Sequence, residues 1–356
     1  MTIPKFMRAV LLTGHGGFEK LDLRADVPIP EPGPGDVLIR VGAAGLNNTD
    51  INTRSGWYSK AVAEATDAGG TTGIAGAEDD GWSGAAFRFP RIQGADVCGQ
   101  VVAVGSGVDR HRIGERILVE PVFRGADRFD AIYFGSEVDG GFAEYCCVPS
   151  VHAHRIESPL SDVQLAGFPC AYSAAENMLS RIALQSGERV LVTGASGGVG
   201  SAAVQLARRR GAVIAAVAAS DKREALEKLG ADRVLARGTD ILAEFGNEYF
   251  DAVVDVVGGN QFSAILASLK RGGRYGVAGA ISGPIVELDL RTVYLKDLQL
   301  IGCTVFQPEV FTNLIRYIES GEIKPLVAAT FSLSDIVAAQ KSFLTKSHVG
   351  KIILVP

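Results

Sequence analysis

Val190-Leu191-Val192-Thr193-Gly194-Ala195-Ser196-Gly197-Gly198-Val199-Gly200 is the stretch that decides the fold of this chain. Three consecutive apolar residues read as a buried strand. The glycines that follow read as a tight turn, which runs directly into a helical pattern. Such a turn permits close approach: bare backbone can come up against a pyrophosphate while the first N–H groups of the helix point at its charge. A glycine-rich turn alone is weak evidence and could be structural. Set between a strand and a helix, with a βαβ continuation, it implies dinucleotide binding. The expected contacts of the loop are Thr193, Ala195, Ser196, Gly197, Gly198 and Val199.

The next apolar run, Val213–Val217, should end beside the adenosine ribose, where an Asp or Glu would accept from the 2′-hydroxyl of NAD. The chain there reads Ala218-Ala219-Ser220-Asp221-Lys222-Arg223. The first two positions are neutral, and Ser220, Lys222 and Arg223 can bind a 2′-phosphate by hydrogen bonds and charge. NADPH is therefore favoured over NADH. The competing reading makes Lys222 and Arg223 a solvated helix face and lets Asp221 reach the ribose.

Working outward, strand and helix patterns alternate with short connections. After a helix-like Ser161–Leu184, strands are expected at Val213–Val217, Arg233–Leu235, Asp251–Val257, Arg274–Ala278 and Gln299–Cys303. Helices are expected at Gly200–Arg210, Lys222–Leu229 and Phe262–Leu269. Continuous apolar strands joined by helices imply a parallel sheet covered on both faces. Upstream, from about Met7 to Ala153, short apolar strands separated by Gly/Pro turns read as mostly β. Residues 61–86 lack a sustained period and are too long for an ordinary connection, so they are expected to form an inserted loop, either a lid or a disordered excursion. After about Phe306 a helix, Pro308–Ser320, and a closing strand, Gly350–Val355, are expected to return to the first domain. The expected fold is α/β, with a mostly-β domain of residues 1–157 and 307–356 around a doubly wound domain of residues 158–306.

Composition removes several classes of function. The chain has 356 residues and a formal net charge of -5, with no concentrated Lys/Arg stripe, so nucleic acid is not an expected partner. No apolar stretch approaches the roughly 20 residues of a membrane span, and no signal-peptide core follows Lys5 and Arg8, so a soluble cytoplasmic protein is expected. The 5 cysteines, Cys98, Cys146, Cys147, Cys170 and Cys303, lack Cys-x-x-Cys spacing and read as free thiols.

Taken together, several segments carry a family likeness: the Val37–Val41 strand after its Pro/Gly turn, Gly45-Leu46-Asn47-Asn48-Thr49-Asp50 with Arg54-Ser55-Gly56-Trp57-Tyr58, Gly94-Ala95-Asp96-Val97-Cys98-Gly99 with Val104-Gly105, Gly141-Phe142-Ala143-Glu144-Tyr145, the Thr193–Gly200 loop, Asp255-Val256-Val257-Gly258 and Gly350-Lys351. On these the chain resembles the zinc-independent quinone oxidoreductase branch of the medium-chain dehydrogenase/reductase family, over nearly its full length. The resemblance implies a GroES-like catalytic domain made of both chain ends, a Rossmann domain between them, and an active site in the cleft. It also implies a homodimer, paired through the strand near Leu298–Cys303. Residues 61–86 exceed the family's usual length.

Metal-dependent relatives hold a catalytic zinc with Cys, His and a second Cys or Asp. The matching positions here are Asn47, Ala95 and Ala166, which cannot assemble a three-ligand site. The four-cysteine zinc lobe is absent between Glu120 and Gly141. His152 and His154, alternate along one strand face, read as ordinary surface residues, so no zinc is expected. An alcohol or simple carbonyl needs a Lewis acid for its developing charge; a quinone or α,β-unsaturated carbonyl delocalises that charge itself.

The resemblance places Asn47, Asp50, Tyr58, Cys170 and Tyr172 at the catalytic site, with Tyr58 as hydrogen-bond or proton donor, unless it is a core aromatic beside Trp57. It implies that Val256, Val257, Gly258, Gly279, Ala280 and Phe306, with Asn260 a further candidate, wall the nicotinamide pocket, and that Lys351 helps hold the cofactor. The expected function is NADPH-dependent reduction of a small-molecule quinone or enone. The alternatives are a non-catalytic NADPH-binding sensor, or an alcohol dehydrogenase with an atypical metal site.

Overall fold

Val190, Leu191 and Val192 are fully buried, because the strand that holds them, Arg189–Val192 (β1), is flanked on both edges. In the structure, a computed structural model describing residues 3–77, 81–84, 86–127 and 129–356, β1 belongs to a six-stranded parallel sheet. Its other strands are Val213–Ala218 (β2), Arg233–Ala236 (β3), Phe250–Asp255 (β4), Leu269–Val277 (β5) and Gln299–Gly302 (β6), in the order β3-β2-β1-β4-β5-β6. In this doubly wound order the strand sequence reverses beside β1, where dinucleotides bind.

The helix after β1, Gly198–Arg209 (α1), buries Ala202, Ala203, Leu206 and Ala207 and carries Arg208 and Arg209 in its last turn, where cations oppose the helix dipole. Gly211, at φ 78°, turns the chain toward β2. The helices Arg223–Leu229 and Phe262–Ser268 lie where the pattern predicts. Two shorter ones, Ile241–Phe245 and Leu290–Leu295, escape it; each is started by an Asp side chain, Asp240 or Asp289, that accepts first-turn N–H groups.

This sheet belongs to a compact unit of residues 63–66 and 171–310; residues 1–62, 67–170 and 311–356 form another. The edges therefore differ from the expected 157/158 and 306/307. The single helix expected over Ser161–Leu184 is two, Asp162–Leu165 and Pro169–Arg181, because Gly167 and Pro169 interrupt it. The first of these helices stays with the β unit, where the Asp162 carboxylate accepts from Arg116 Nε at 2.7 Å.

The β unit is built on a seven-stranded sheet. Its path runs Ala153–Arg155, Arg116–Val119, Asp96–Val104, Asp36–Gly45, Lys351–Val355, Val327–Ser332, with Tyr145–Pro149 also paired to Asp36–Gly45. The closing strand near the C-terminus is thus hydrogen-bonded to Ala44 and Gly45. Between Glu120 and Gly141 the chain forms a hairpin, Val122–Arg124 with Ala131–Tyr133. All five cysteines are free. Among the described residues no helix is long and apolar enough to cross a membrane.

Residues 78–80 and 85 of the inserted loop lie outside the described residues. The rest correct the expectation of a disordered excursion, because the described residues are pinned. Arg54, fully buried, donates to Gly16 O, Gly70 O and Gln340 Oε1. Ile74 N donates to Ser55 O at 3.0 Å, and Ser83 N to Glu137 Oε1 at 2.9 Å. The Trp82 ring stacks on Tyr133 at 5.0 Å.

His152 and His154 are also reassigned. His152 is buried against Phe123, and both imidazoles donate to one buried oxygen, Glu120 Oε2, at 3.2 Å each. Burial alone would raise the Glu120 carboxyl, but hydrogen bonds from His152 and His154 and the charge of Arg124 hold it at about 2. Its contribution to stability is therefore present above the ordinary value of 4.5 and lost as pH falls toward 2. Glu120→Gln should cost about 3 kcal/mol at neutral pH. Denaturant unfolding should show the gap to wild type closing below pH 4.5; a gap that does not change with pH would refute the assignment.

Candidate active site

The cofactor loop is shaped by what cannot be added to it. Gly194 sits at φ 57°, in the left-handed region. A Cβ on Gly200 would lie 2.2 Å from Gly194 O and 2.6 Å from Ala195 Cα, both backbone atoms that have no room to yield. Gly197 caps α1, so the N–H groups of its first turn, from Gly198 onward, have no intrahelical acceptor. Such free N–H groups at a helix start are suited to an anion such as a pyrophosphate. Two expected contacts are otherwise engaged: Ala195 N donates to Val217 O at 3.0 Å, and the Thr193 hydroxyl donates to Asp255.

Asp255, quoted in the sequence only as part of a motif, organises this region. Fully buried at the end of β4, it accepts from the Thr193 hydroxyl, from Val257 N at 2.7 Å, from Gly258 N at 3.1 Å and from the Tyr275 hydroxyl. It thereby ties the ends of β1, β4 and β5 to the turn that starts at Val256. Val256 and Val257 accept from Ile281 N and Ser282 N, and a Cβ on Gly279 would lie 3.0 Å from Val256 O. The expected nicotinamide wall of Val256, Val257, Gly258, Gly279 and Ala280 is brought together. Phe306 is buried in the same unit, and Asn260 is exposed in the turn before helix Phe262–Ser268.

At the end of β2, Lys222 Nζ lies 2.8 Å from Asp221 Oδ2. The Lys222 hydrogen bond holds the Asp221 carboxyl below its ordinary range, and the charge of Arg237 acts in the same direction. Arg223 points elsewhere, 3.7 Å from Glu227 along its own helix, as in the solvated-face reading. Arg237 was missed in the sequence. Its signal was a basic residue just beyond the third apolar strand, which chain order sets beside the second.

In the β unit the helix Asn48–Ser55 starts from Asn47, whose backbone N donates to Asp50 Oδ2 at 2.7 Å. Asn47 Nδ2 donates to Asp96 Oδ2 at 2.9 Å. Lys351, expected to hold the cofactor, does something else. Its ammonium is buried and donates to Asp96 Oδ2 at 2.7 Å, Leu46 O at 2.7 Å and Asn47 Oδ1 at 2.5 Å. All three hydrogens are used, and none is left for a phosphate. Asp96 Oδ1 also receives the backbone N–H of Cys170.

Cys170 Sγ lies 2.9 Å from the Tyr133 hydroxyl, a neighbour no sequence pattern announced. Burial, followed by the nearby Asp96 charge, pushes the Cys170 thiol up to about 12, so it remains a thiol. Burial likewise carries Tyr58 to about 12, although hydrogen bonds with Thr49 and Asn52 oppose it. Tyr172 belongs to the Rossmann unit, and its hydroxyl accepts from Gln205 Nε2 at 2.8 Å.

The donor set does not fit a catalytic zinc. Asn47 Oδ1 and Asp96 are already satisfied by an ammonium, and Ala95 and Ala166, both buried, offer only methyl groups. Among the described residues no group of three His, Cys, Asp or Glu side chains is poised to hold a metal.

Burial raises the Asp50 carboxyl to about 7, against the opposing Asn47 N–H and Lys351 charge. The folded state therefore keeps a proton that the unfolded chain releases above 3.8, and stability should fall as pH rises from there through about 7. Asp50→Asn should remove that slope, which melting temperatures across the range would show. Gly200→Ala should weaken cofactor binding at least about tenfold through displacement of the loop, measured by NADPH fluorescence titration.

Comparison with known proteins agrees with this architecture. The Alcohol dehydrogenase GroES-like domain matches residues 33–158, and the Zinc-binding dehydrogenase family matches residues 198–320. A crystal structure described as a putative alcohol dehydrogenase from Sinorhizobium meliloti is 47% identical, superposes with a TM-score of 0.89, and is matched over 99% of this chain and 98% of its own. The acryloyl-coenzyme A reductase of Metallosphaera sedula is 29% identical over 98% of this chain and 99% of its own length. Human quinone oxidoreductase is 28% identical over 98% of each. The GroES-like β unit, the doubly wound unit with its glycine loop, and these full-length likenesses make the chain a member of the medium-chain dehydrogenase/reductase family of oxidoreductases.

Proposed function

We propose that the chain is a cytoplasmic, homodimeric, zinc-independent reductase that uses NADPH to reduce a quinone or an α,β-unsaturated carbonyl compound. The observation that carries this reading is the Lys351 ammonium bound to Asp96 and to Asn47, a residue that the resemblance sets at a zinc-ligand position of metal-dependent relatives. A site that cannot hold a Lewis acid suits acceptors whose conjugation spreads the negative charge. The names of the acryloyl-coenzyme A reductase and quinone oxidoreductase relatives fall within that class.

When bound, NADPH supplies the hydride. The protein's own groups orient the acceptor and manage the proton. Tyr58, protonated at any working pH, is the donor to the acceptor oxygen. Cys170 packs as a neutral thiol, and Asp50 holds or releases a proton near neutrality. Preference for NADPH follows from Ser220, Lys222 and Arg237 grouped at the ends of β2 and β3. The dimer reading is supported by β6, an edge strand whose neighbourhood exposes Ile285, Leu290, Tyr294, Leu295 and Leu300.

Rapid mixing of protein and NADPH with benzoquinone-type and enone acceptors should consume the reduced nicotinamide absorbance at a rate unaffected by chelator. No oxidation with any acceptor, or stoichiometric zinc in purified protein, would overturn the reading. Lys222→Ala and Arg237→Ala should each weaken NADPH about tenfold while leaving NADH unchanged; equal losses for both cofactors would count against a 2′-phosphate site.

A further inference from the structure

Beside Tyr133 lies a cavity of about 190 Å³ lined by Ala86, Phe87, Arg88, Arg91, Ser136 and Glu137. One wall is the end of the inserted loop and the other is the turn after the Val122–Tyr133 hairpin. The two arginines are not equally committed. Arg91 Nη1 is bound to Asp139 Oδ1 at 2.9 Å, but its Nε is buried with no acceptor. Arg88 is exposed and has no hydrogen bond or ion pair among the described residues.

The cavity's carboxylate makes no hydrogen bond to either arginine. Glu137 Oε1 accepts from Ser83 N at 2.9 Å and Oε2 from Tyr133 N at 2.9 Å, so both oxygens are taken by backbone donors. Asp139 Oδ1, beyond the lining, is shared between Arg91 and Ile92 N. Among the described residues Arg88 thus has no partner, and Arg88 and Arg91 both line a volume several times the ~30 Å³ share of a water.

The cavity also adjoins the candidate site. Ser136 N donates to Tyr133 O at 3.0 Å, and the hydroxyl of the same tyrosine lies 2.9 Å from Cys170 Sγ. Tyr133 therefore links a lining residue to the polar cluster.

We propose that this cavity is an oxyanion subsite, in which Arg88 and Arg91 hold a phosphate or carboxylate on the non-reacting end of the acceptor. It rests on the reductase reading above and narrows it to acceptors with an anionic arm.

The test compares wild type with Arg88→Glu and Arg88→Lys, changes at an exposed residue that leave the fold intact. Three acceptors separate the sources of charge: crotonyl-coenzyme A for phosphate, 3-benzoylacrylate for carboxylate, and methyl vinyl ketone for none. Arg88→Glu should raise KM about tenfold for one or both charged acceptors and Arg88→Lys much less, with kcat and the methyl vinyl ketone KM unchanged. Calorimetric titration of coenzyme A or inorganic phosphate, without NADPH, should show the same loss independently of turnover. Equal effects on charged and neutral acceptors, or binding indifferent to Arg88, would overturn the subsite while leaving the reductase intact. Arg88-dependent anion binding with no acceptor reduced would instead overturn the reductase reading and keep the subsite.

Discussion

The Lys351 ammonium and the Asp96 carboxylate are both removed from water, at 4% and 0% side-chain exposure. That costs several kcal/mol per ion unless each finds a full set of partners. Lys351 reaches Leu46 O and Asn47 Oδ1 as well as Asp96; Asp96 takes in addition Asn47 Nδ2 and the Cys170 N–H. Four segments far apart in sequence are thereby fixed by one charge pair: the Asn47 turn, the strand beginning at Asp96, the helix beginning at Pro169 and the closing strand. Loss of either ion would leave the other buried and uncompensated. The groups with candidate chemical roles, Asp50 and Cys170, are positioned by the same pair.

The Rossmann unit meets the equivalent requirement without a cation. Asp255 is as deeply buried as Asp96, and its oxygens are filled by two backbone N–H groups and two hydroxyls. Hydrogen bonds to an ionised carboxylate are stronger than neutral ones, so a single residue can bind three strand ends and a turn. The carboxylate spends its acceptors inward, on Thr193 and Tyr275. The first-turn N–H groups of α1 are left without an intrahelical acceptor.

Much of this was legible in sequence. β1, its glycine turn and α1 form a local pattern in which each residue's role depends on its immediate neighbours, and the later strands were placed along the chain by their alternation with helices. The failures share a cause. Lys351 was read as a cofactor ligand because a basic residue opening a strand near the C-terminus carries no sign of a carboxylate 255 positions upstream. Tyr133 gave no periodic or motif signal and acquires meaning only through Cys170 and Trp82. His152 and His154 were judged by their spacing, whereas Glu120, on a different strand, determines their environment. Local grammar reports backbone shape; long-range charge pairing is invisible to it.

The inserted loop illustrates the same limit. Its glycines and alanines have too little apolar bulk to build a core, so composition pointed to mobility. Arg54 holds it by another means. A guanidinium offers five donors, and here three of them are met by the carbonyls of Gly16 and Gly70 and by Gln340 Oε1. Carbonyl acceptors belong to every residue, so the partner segment needs no distinctive side chain. Burial lowers the Arg54 guanidinium to about 10, which still leaves it charged near neutral pH, and the Phe18 ring lies 4.6 Å from it. Closing a longer loop adds only about 0.6 kcal/mol for each doubling of its length, so one such anchor can offset the entropy of the extra residues. The far end of the loop follows from that anchoring: Trp82 is stacked on Tyr133, and Phe87 is packed with Phe89 beside His15. The described residues of the insertion from 67 onward are a pinned wall of the β unit, and their side chains are available to shape what that unit can bind.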